Sequence, residues 1–154
     1  MKLYYSPGAC SLSPHIVARE AGIAVDLTKV DLKAKTLAEG GSYIAVNGKG
    51  YVPALGLDDG TLLTEGPVIV QYLADQKPES GLAPKAGTME RLRLQEWLMG
   101  DKFSVADAYL FTILNWAPMV KFDLGRWPAI SEYQKRVGQR PKVQEALKAE
   151  GLVK

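Results

Sequence analysis

Val52-Pro-Ala-Leu-Gly-Leu57, Asp58-Asp-Gly60, Thr61-Leu-Leu-Thr64 and Glu65-Gly-Pro67-Val-Ile-Val-Gln-Tyr72-Leu-Ala74 follow one another without a break, and their order decides the fold. The first and third pieces are short apolar runs of strand character. Asp58-Asp59-Gly60 between them is a strong hairpin signal, since glycine reaches the positive φ that tight turns need. Pro67 then falls in the first turn of a helix, where its missing N–H leaves no bond unmade, and Val68, Ile69, Tyr72 and Leu73 share one face. Residues 52–74 therefore read as strand, turn, strand and helix.

Upstream, Lys2 to Ser6 carries Leu3, Tyr4 and Tyr5 and stops at Pro7-Gly8, a short strand and a turn. A helix from about Ser11 to Ala21 follows, with Leu12, Ile16 and Ala18 to Ala21 on its stripe and Gly22 closing it. Val25 to Leu32 is expected to be a second strand, parallel to the first through a right-handed crossover. Residues 33–51, rich in Lys, Gly, Ser and Asn, are expected to form a short irregular helix and a long loop. A βαβ unit followed by ββα makes a small mixed sheet with helices on its faces, which is the thioredoxin-like arrangement.

Gln76 to Gly87, with Pro78, Gly81, Pro84 and Gly87, is the best linker in the chain. Beyond it only helices are predicted: Met89 to Met99, Ser104 to Ala117, Ala129 to Val137 and Val143 to Glu150. The fold class is thus α/β plus α, an α/β domain over residues 1–77 and an all-helical domain over 88–154. Ser104-Val-Ala-Asp107 places a hydroxyl at an N-cap and a carboxylate three residues on, a capping-box pattern that gives Ser104 and Asp107 structural roles. The helix it opens is apolar nearly all round, through Ala108, Tyr109, Leu110, Phe111, Ile113, Leu114 and Trp116, and must be covered on every side. Three short neighbouring helices are few for that task, and a helical remainder of about 65 residues is near the lower end of what stands alone.

Composition bounds the function. The 154 residues are 47% hydrophobic and 23% charged, with 19 basic against 17 acidic side chains and a net charge of +2. Such a balance holds neither nucleic acid nor an anionic membrane non-specifically. A single cysteine, Cys10, forms no internal disulfide and points to a reducing, cytoplasmic setting. The sequence shows no apolar stretch of signal-peptide or membrane-spanning length, and no metal-ligand spacing.

Cys10 lies at the turn from the first strand into the first helix, where backbone N–H groups and the helix dipole lower a thiol pKa. Position alone leaves two readings open, a reactive thiol and a buried, inert one. A dithiol mechanism would need an external partner thiol. Val52-Pro53 would, with a cis bond, offer the backbone of Val52 to an extended peptide, although only about one X-Pro bond in twenty is cis. Glu65-Gly66 opens a helix whose N-terminus suits a carboxylate, with Glu65 as a partner for an ammonium. Taken singly, Glu65 reads as a solvated carboxylate, and His15, the only histidine, as structural. Lys33, Lys35 and Glu39 read as a solvated face.

Together, Tyr5-x-Pro7-Gly8-Ala9-Cys10-Ser11, Val52-Pro53-Ala54-Leu55, the run from Asp58 to Gly66 with Ile69 to Ala74, and Phe103-Ser-Val-Ala-Asp107-Ala-Tyr-Leu110 resemble the bacterial beta-class glutathione transferases over nearly the whole chain. The resemblance implies glutathione as co-substrate, with no further cofactor and no metal. It implies a cis Val52-Pro53 bond and glutathione held by Val52 and Pro53, by Glu65 and Gly66 at its γ-glutamyl end and by Lys35 at its glycyl carboxylate. Cys10 would sit beside the glutathione sulfur and form a mixed disulfide with it, with Ser11 and Tyr5 as nearby hydroxyls. The implied reaction is conjugation of the glutathione thiolate to a hydrophobic electrophile, with thiol-disulfide exchange at Cys10 as a second activity and a homodimer as the assembly. The chain departs from the family after Glu96-Trp97-Leu98, where Leu98-Met99 runs at once into Gly100-Asp101-Lys102-Phe103. The family has a further helical segment there, carrying part of the electrophile pocket, a histidine and a lysine. That gap motivates the rival expectation, a non-catalytic glutathione-binding or scaffold protein without an electrophile pocket.

Overall fold

A computed structural model describes residues 1–96 and 102–154 of the chain. The elements run β1 (Lys2–Tyr5), α1 (Leu12–Glu20), β2 (Asp26–Asp31), β3 (Thr36–Leu37), β4 (Ala54–Gly56), β5 (Leu62–Thr64), α2 (Gly66–Gln76), α3 (Met89–Glu96), α4 (Val105–Leu114), α5 (Pro128–Gly138) and α6 (Pro141–Ala149). The sheet order is β3-β2-β1-β4-β5, with β1 and β2 parallel and the other neighbours antiparallel. Leu3 at the centre pairs with Leu27 on one side and Leu55 on the other. This is the mixed sheet that the βαβ-ββα reading requires.

Local chemistry sets the boundaries. Gly22, at φ 67°, ends α1 in a Schellman turn: Ile23 N donates to Ala18 O at 2.8 Å and Gly22 N to Arg19 O at 3.1 Å. Gly60, at φ 87°, turns the β4–β5 hairpin, while the Asp59 carboxylate accepts from Thr61 N at 2.8 Å. Residues 33–51 differ from expectation. Beside the short irregular helical piece expected, which is a 3₁₀ turn at Tyr43–Ala45, they hold β3 where only loop was expected, paired with β2 through Val30 and Leu37. The Asp31 carboxylate makes that reversal by accepting from Lys33 N at 2.8 Å and Ala34 N at 2.9 Å, and these two N–H groups hold its pKa below the ordinary carboxylate value.

One core runs through both halves. Leu3, Leu12, Ile16 and Leu73 from the α/β part are continuous with Ala108, Phe111, Val143 and Ala146 from the helical part, and α1 packs against α2, α4 and α6. Polar links reinforce the contact. Arg140 donates to Glu20 at 2.7 and 2.9 Å while stacking 4.1 Å from the Phe103 ring centroid, and the nearly buried Arg91 pairs with Asp75 and donates to Pro84 O at 2.7 Å.

The capping box forms as read: Ser104 N and Oγ both donate to Asp107 Oδ2 at 2.8 Å, and Tyr133 OH reaches Asp107 Oδ1 at 3.1 Å. Burial and the Asp107 charge together push the Tyr133 pKa upward. The helix stops at Leu114, short of the expected Ala117, because Pro118 disfavours a helical residue before it and has no N–H to donate. The predicted first helix of the second domain, from Met89 to Met99, is seen as α3 to Glu96; Leu98-Met99 and the junction through Asp101 lie outside the described residues. Among the described residues α4 is only partly covered. Val105, Ala108 and Phe111 are buried, while Ala106, Tyr109, Leu110 and Ile113 line an open apolar groove of about 410 Å³ with Pro67, Val70 and Leu94. Among the described residues no helix is long and apolar enough to cross a membrane.

Replacing Asp107 by Ala removes the cap and one partner of Tyr133. The expected loss is roughly 0.5–2 kcal/mol of stability, read from the midpoint of urea unfolding; an unchanged midpoint would contradict the role given to the box.

Candidate functional site

Where α1, the loop before β4 and the start of α2 meet, a cleft of about 300 Å³ is lined by Cys10, Val52, Pro53, Thr64, Glu65, Gly66 and Pro67, with Asn47, Lys49, Tyr51 and Tyr109 completing it. Four of the residues singled out in the sequence as glutathione-binding, Val52, Pro53, Glu65 and Gly66, are thus brought together with Cys10. The Val52-Pro53 bond is cis, as the family resemblance implies and against the base rate. Gly66 is buried against the helical half: a Cβ there would lie 3.5 Å from the Tyr109 ring and 3.7 Å from Pro53.

The thiol is held differently from expectation. Cys10 Sγ donates to the carbonyl oxygen of Val52 at 2.9 Å, so in the free protein that carbonyl is already engaged. Burial pushes the Cys10 pKa up, the backbone N–H groups of Cys10 and Ser11 oppose the shift, and the Glu65 charge adds to it; the net direction is upward. The helix-start position was expected to lower this pKa. It does supply N–H groups, but desolvation outweighs them.

Three other expected site residues are placed elsewhere. Ser11 is fully buried, and its hydroxyl is occupied within the turn, accepting from Ser6 N at 3.1 Å and donating to Ser6 O at 3.2 Å. Tyr5 is buried at the end of β1, its ring 6.3 Å from that of His15, and burial followed by the Glu150 charge raises its pKa. Neither hydroxyl lines the cleft. Lys35, at φ 57°, stands behind the cleft wall, its ammonium 2.9 Å from Gly50 O and 5.3 Å from the Tyr51 ring centroid. Lys49 instead stands on the rim of the cleft, 2.9 Å from Glu65 Oε1 and 3.3 Å from Thr64 Oγ1. Nothing in the local sequence distinguished Lys49 from the other lysines of a polar loop, and Tyr109 read only as part of an apolar helix.

His15 proves structural and has partners that the sequence did not reveal. Its Nδ1 lies 2.9 Å from Glu150 Oε1, and Arg19 Nε reaches Nε2 at 3.4 Å. The second oxygen of Glu150 accepts from Gly8 N at 3.0 Å, and Trp116 Nε1 donates to Gly8 O at 2.8 Å. The loop leading into Cys10 is therefore gripped on both sides by the helical half. Beside it lies an apolar cavity of about 590 Å³ lined by Pro7, Ala9, Leu32, Trp116, Met119 and Leu152. Among the described residues no group of three or more His, Cys, Asp or Glu is placed to hold a metal ion.

Residues 8–76 match the family described as glutathione S-transferase, N-terminal domain, and residues 87–141 the family described as glutathione S-transferase, C-terminal domain. The chain is 40% identical to the glutathione S-transferase GstA of Escherichia coli O157:H7, over 99% of this chain and 100% of that one. The alignment spans 200 positions, more than the 154 residues here, so that relative carries positions with no counterpart in this chain. Among solved structures, the ternary complex of BphK, a bacterial glutathione transferase, matches with TM-score 0.95 and 45% identity over 98% of this chain and 100% of that one. The bacterial beta-class enzyme of Sphingomonas chungbukensis matches with TM-score 0.94 and 41% identity over 99% of this chain and 100% of that one.

Because burial disfavours the Cys10 thiolate, its alkylation by iodoacetamide at neutral pH should be slower than that of a free cysteine and should keep rising past the pH at which the free thiol levels off. A thiolate titration, followed by ultraviolet absorbance, with its midpoint below that of free cysteine would contradict the assignment.

Proposed function

This chain belongs to the glutathione S-transferase family, and from that premise we propose that it transfers the glutathione thiol to hydrophobic electrophiles from the cleft beside Cys10. The observation that carries this reading is the convergence of Cys10, Val52, cis-Pro53, Glu65 and Gly66 on one cleft. In it, the cysteinyl part of glutathione lies along Val52, displacing the Cys10 thiol from the Val52 carbonyl. The γ-glutamyl end sits at Glu65 and Gly66, where the N-terminus of α2 favours a carboxylate. Lys35 reaches the glycyl carboxylate by leaving Gly50 O. Residues 1–77 act as the glutathione-binding domain and residues 88–154 as the helical one.

The chemistry needs a thiolate. The backbone N–H groups of Cys10 and Ser11, which already lower the Cys10 pKa against desolvation, are donors for the glutathione sulfur when it takes the place of the Cys10 thiol. In this reading the backbone takes the role that the resemblance gave to the Ser11 and Tyr5 hydroxyls. The thiol proton leaves to solvent, the sulfur lone pair attacks the electrophilic carbon, and for an aryl halide the halide departs with its bonding pair. The apolar cavity lined by Pro7, Ala9, Leu32, Trp116 and Met119 adjoins the same loop and suits the electrophile's apolar body. Thiol-disulfide exchange at Cys10 is the second activity: the Cys10 thiolate attacks glutathione disulfide, forms the mixed disulfide and releases one glutathione thiolate. Curated relatives named as transferases favour this reading over the non-catalytic one. A homodimer and a reducing, cytoplasmic setting complete it.

The folded chain should be retained on immobilised glutathione and turn over a general aryl halide well above the uncatalysed rate; retention with no turnover would leave the non-catalytic rival standing and overturn the transferase reading. Replacing Cys10 by Ala should abolish the glutathione adduct seen by intact mass after treatment with glutathione disulfide, whereas a persisting adduct would show that the thiol assignment is wrong.

A further inference from the structure

The connection from α4 to α5 carries large apolar side chains into water. Met119 is 79% exposed, Val120 71% and Phe122 51%, and the Trp127 ring lies stacked on that of Phe122 with centroids 5.0 Å apart. A single exposed apolar residue is ordinary, but several on one connection form a patch, and such patches mark contact surfaces. Two cations stand among them. Arg126 lies over the Trp127 ring at 5.6 Å from its centroid, and Lys121 sits between Val120 and Phe122 at φ 57°, the left-handed position that glycine ordinarily fills. Among the described residues neither cation has an acidic partner; the neighbouring Asp123 carboxylate accepts from Gly125 N at 2.8 Å.

Protruding apolar groups beside unpaired cations have a definite counterpart. A groove would suit a peptide, whereas side chains standing this far into water fit the surface of an anionic bilayer, which takes aromatic and aliphatic groups at head-group depth and offers negative charge to the cations. We propose that Met119, Val120, Lys121, Phe122, Arg126 and Trp127 form a docking surface for an anionic lipid membrane, which the chain touches from one side without crossing. The net charge of +2 is too small for the chain as a whole to adhere, so adhesion falls to this face. Anionic head groups supply the counter-charges that Lys121 and Arg126 lack, and the bilayer interface covers the apolar side chains between them. Met119 also lines the apolar cavity beside the Cys10 loop, so that cavity borders the docked face.

The test is co-sedimentation of the full chain with vesicles of phosphatidylcholine alone and of phosphatidylcholine mixed equally with phosphatidylglycerol. Each cation is worth about fivefold at an anionic surface, so the mixed vesicles should bind at least about tenfold more tightly. Added salt should narrow that difference. Lys121→Gly should cost about fivefold on the mixed vesicles and leave the unfolding midpoint unchanged or higher, since glycine suits φ 57°. Val120→Asp, at an exposed position, should keep the midpoint and lower binding to the mixed vesicles about tenfold or more. Equal binding to both kinds of vesicle, no binding by the unaltered chain, or variants that bind like it would overturn the proposal. A lipid-free dimer that Val120→Asp splits would also overturn it and give the face to a second copy. Polyglutamate that binds as tightly as the mixed vesicles and loses its hold in Lys121→Gly would overturn it in favour of an acidic protein.

Discussion

The buried carboxylate of Glu150 is the contact on which the cleft depends. It caps the end of α6, and its two oxygens are divided between His15 Nδ1, at 2.9 Å on α1, and Gly8 N, at 3.0 Å in the loop that leads to Cys10. Both ionisable side chains are fully buried, so each needs its partner: a buried polar group left unpaired costs about 1–3 kcal/mol, and a charged one more. Arg19 Nε can only donate, so its approach to His15 Nε2 makes that nitrogen an acceptor and leaves the proton on Nδ1, facing Glu150. Trp116 closes the grip from the other side through Gly8 O. Helical residues far away in the chain therefore set where the thiol of Cys10 stands, even though the cleft is lined mainly by the α/β half.

That arrangement explains why the electrostatics of the site depart from a simple helix-start argument. A thiol at the beginning of α1 does receive N–H groups, but it is also pressed against the Val52 carbonyl, out of water and within the field of Glu65. Free Cys10 is stored as a thiol. In the proposed binding mode a peptide paired with Val52 would remove the carbonyl contact and bring its own sulfur to the same N–H groups. The cleft that holds Cys10 carries the ion pair of Lys49 and Glu65, and the separate cavity beside Pro7 and Trp116 is apolar, a division that suits joining a charged peptide to a hydrophobic electrophile.

The βαβ-ββα frame was legible because its signals are short-range: Gly22 and Gly60 at turns, Pro67 in a first turn, alternation in the strands. Ser104 and Asp107 were legible for the same reason, lying one helical turn apart. β3 was not, since two residues carry no periodicity and the reversal before it is made by side-chain bonds from Asp31. Ser11 and Tyr5 were placed beside the sulfur by the family resemblance, but the Ser11 hydroxyl is engaged within the turn at Ser6 and the strand pleat buries Tyr5. His15 and Glu150 are 135 residues apart, and Lys49 and Glu65 are 16 apart across two strands and a turn; no local pattern announces either pair. The surplus apolar surface of α4 was legible as an excess over its available partners, and it reappears as the open groove of Tyr109, Leu110 and Ile113.

Glutathione is proposed to bind in the cleft at the meeting of Val52, Glu65 and the Cys10 loop, with that loop held in place by the helical half. Backbone amide NMR of the labelled chain titrated with glutathione tests it most directly. The account predicts saturable shifts concentrated at Cys10, Ser11, Val52, Thr64, Glu65 and Gly66, with smaller ones relayed to Gly8 and Trp116. Saturable shifts confined to α5 and the open groove, with the amides of Val52, Glu65 and Gly66 unmoved, would contradict it.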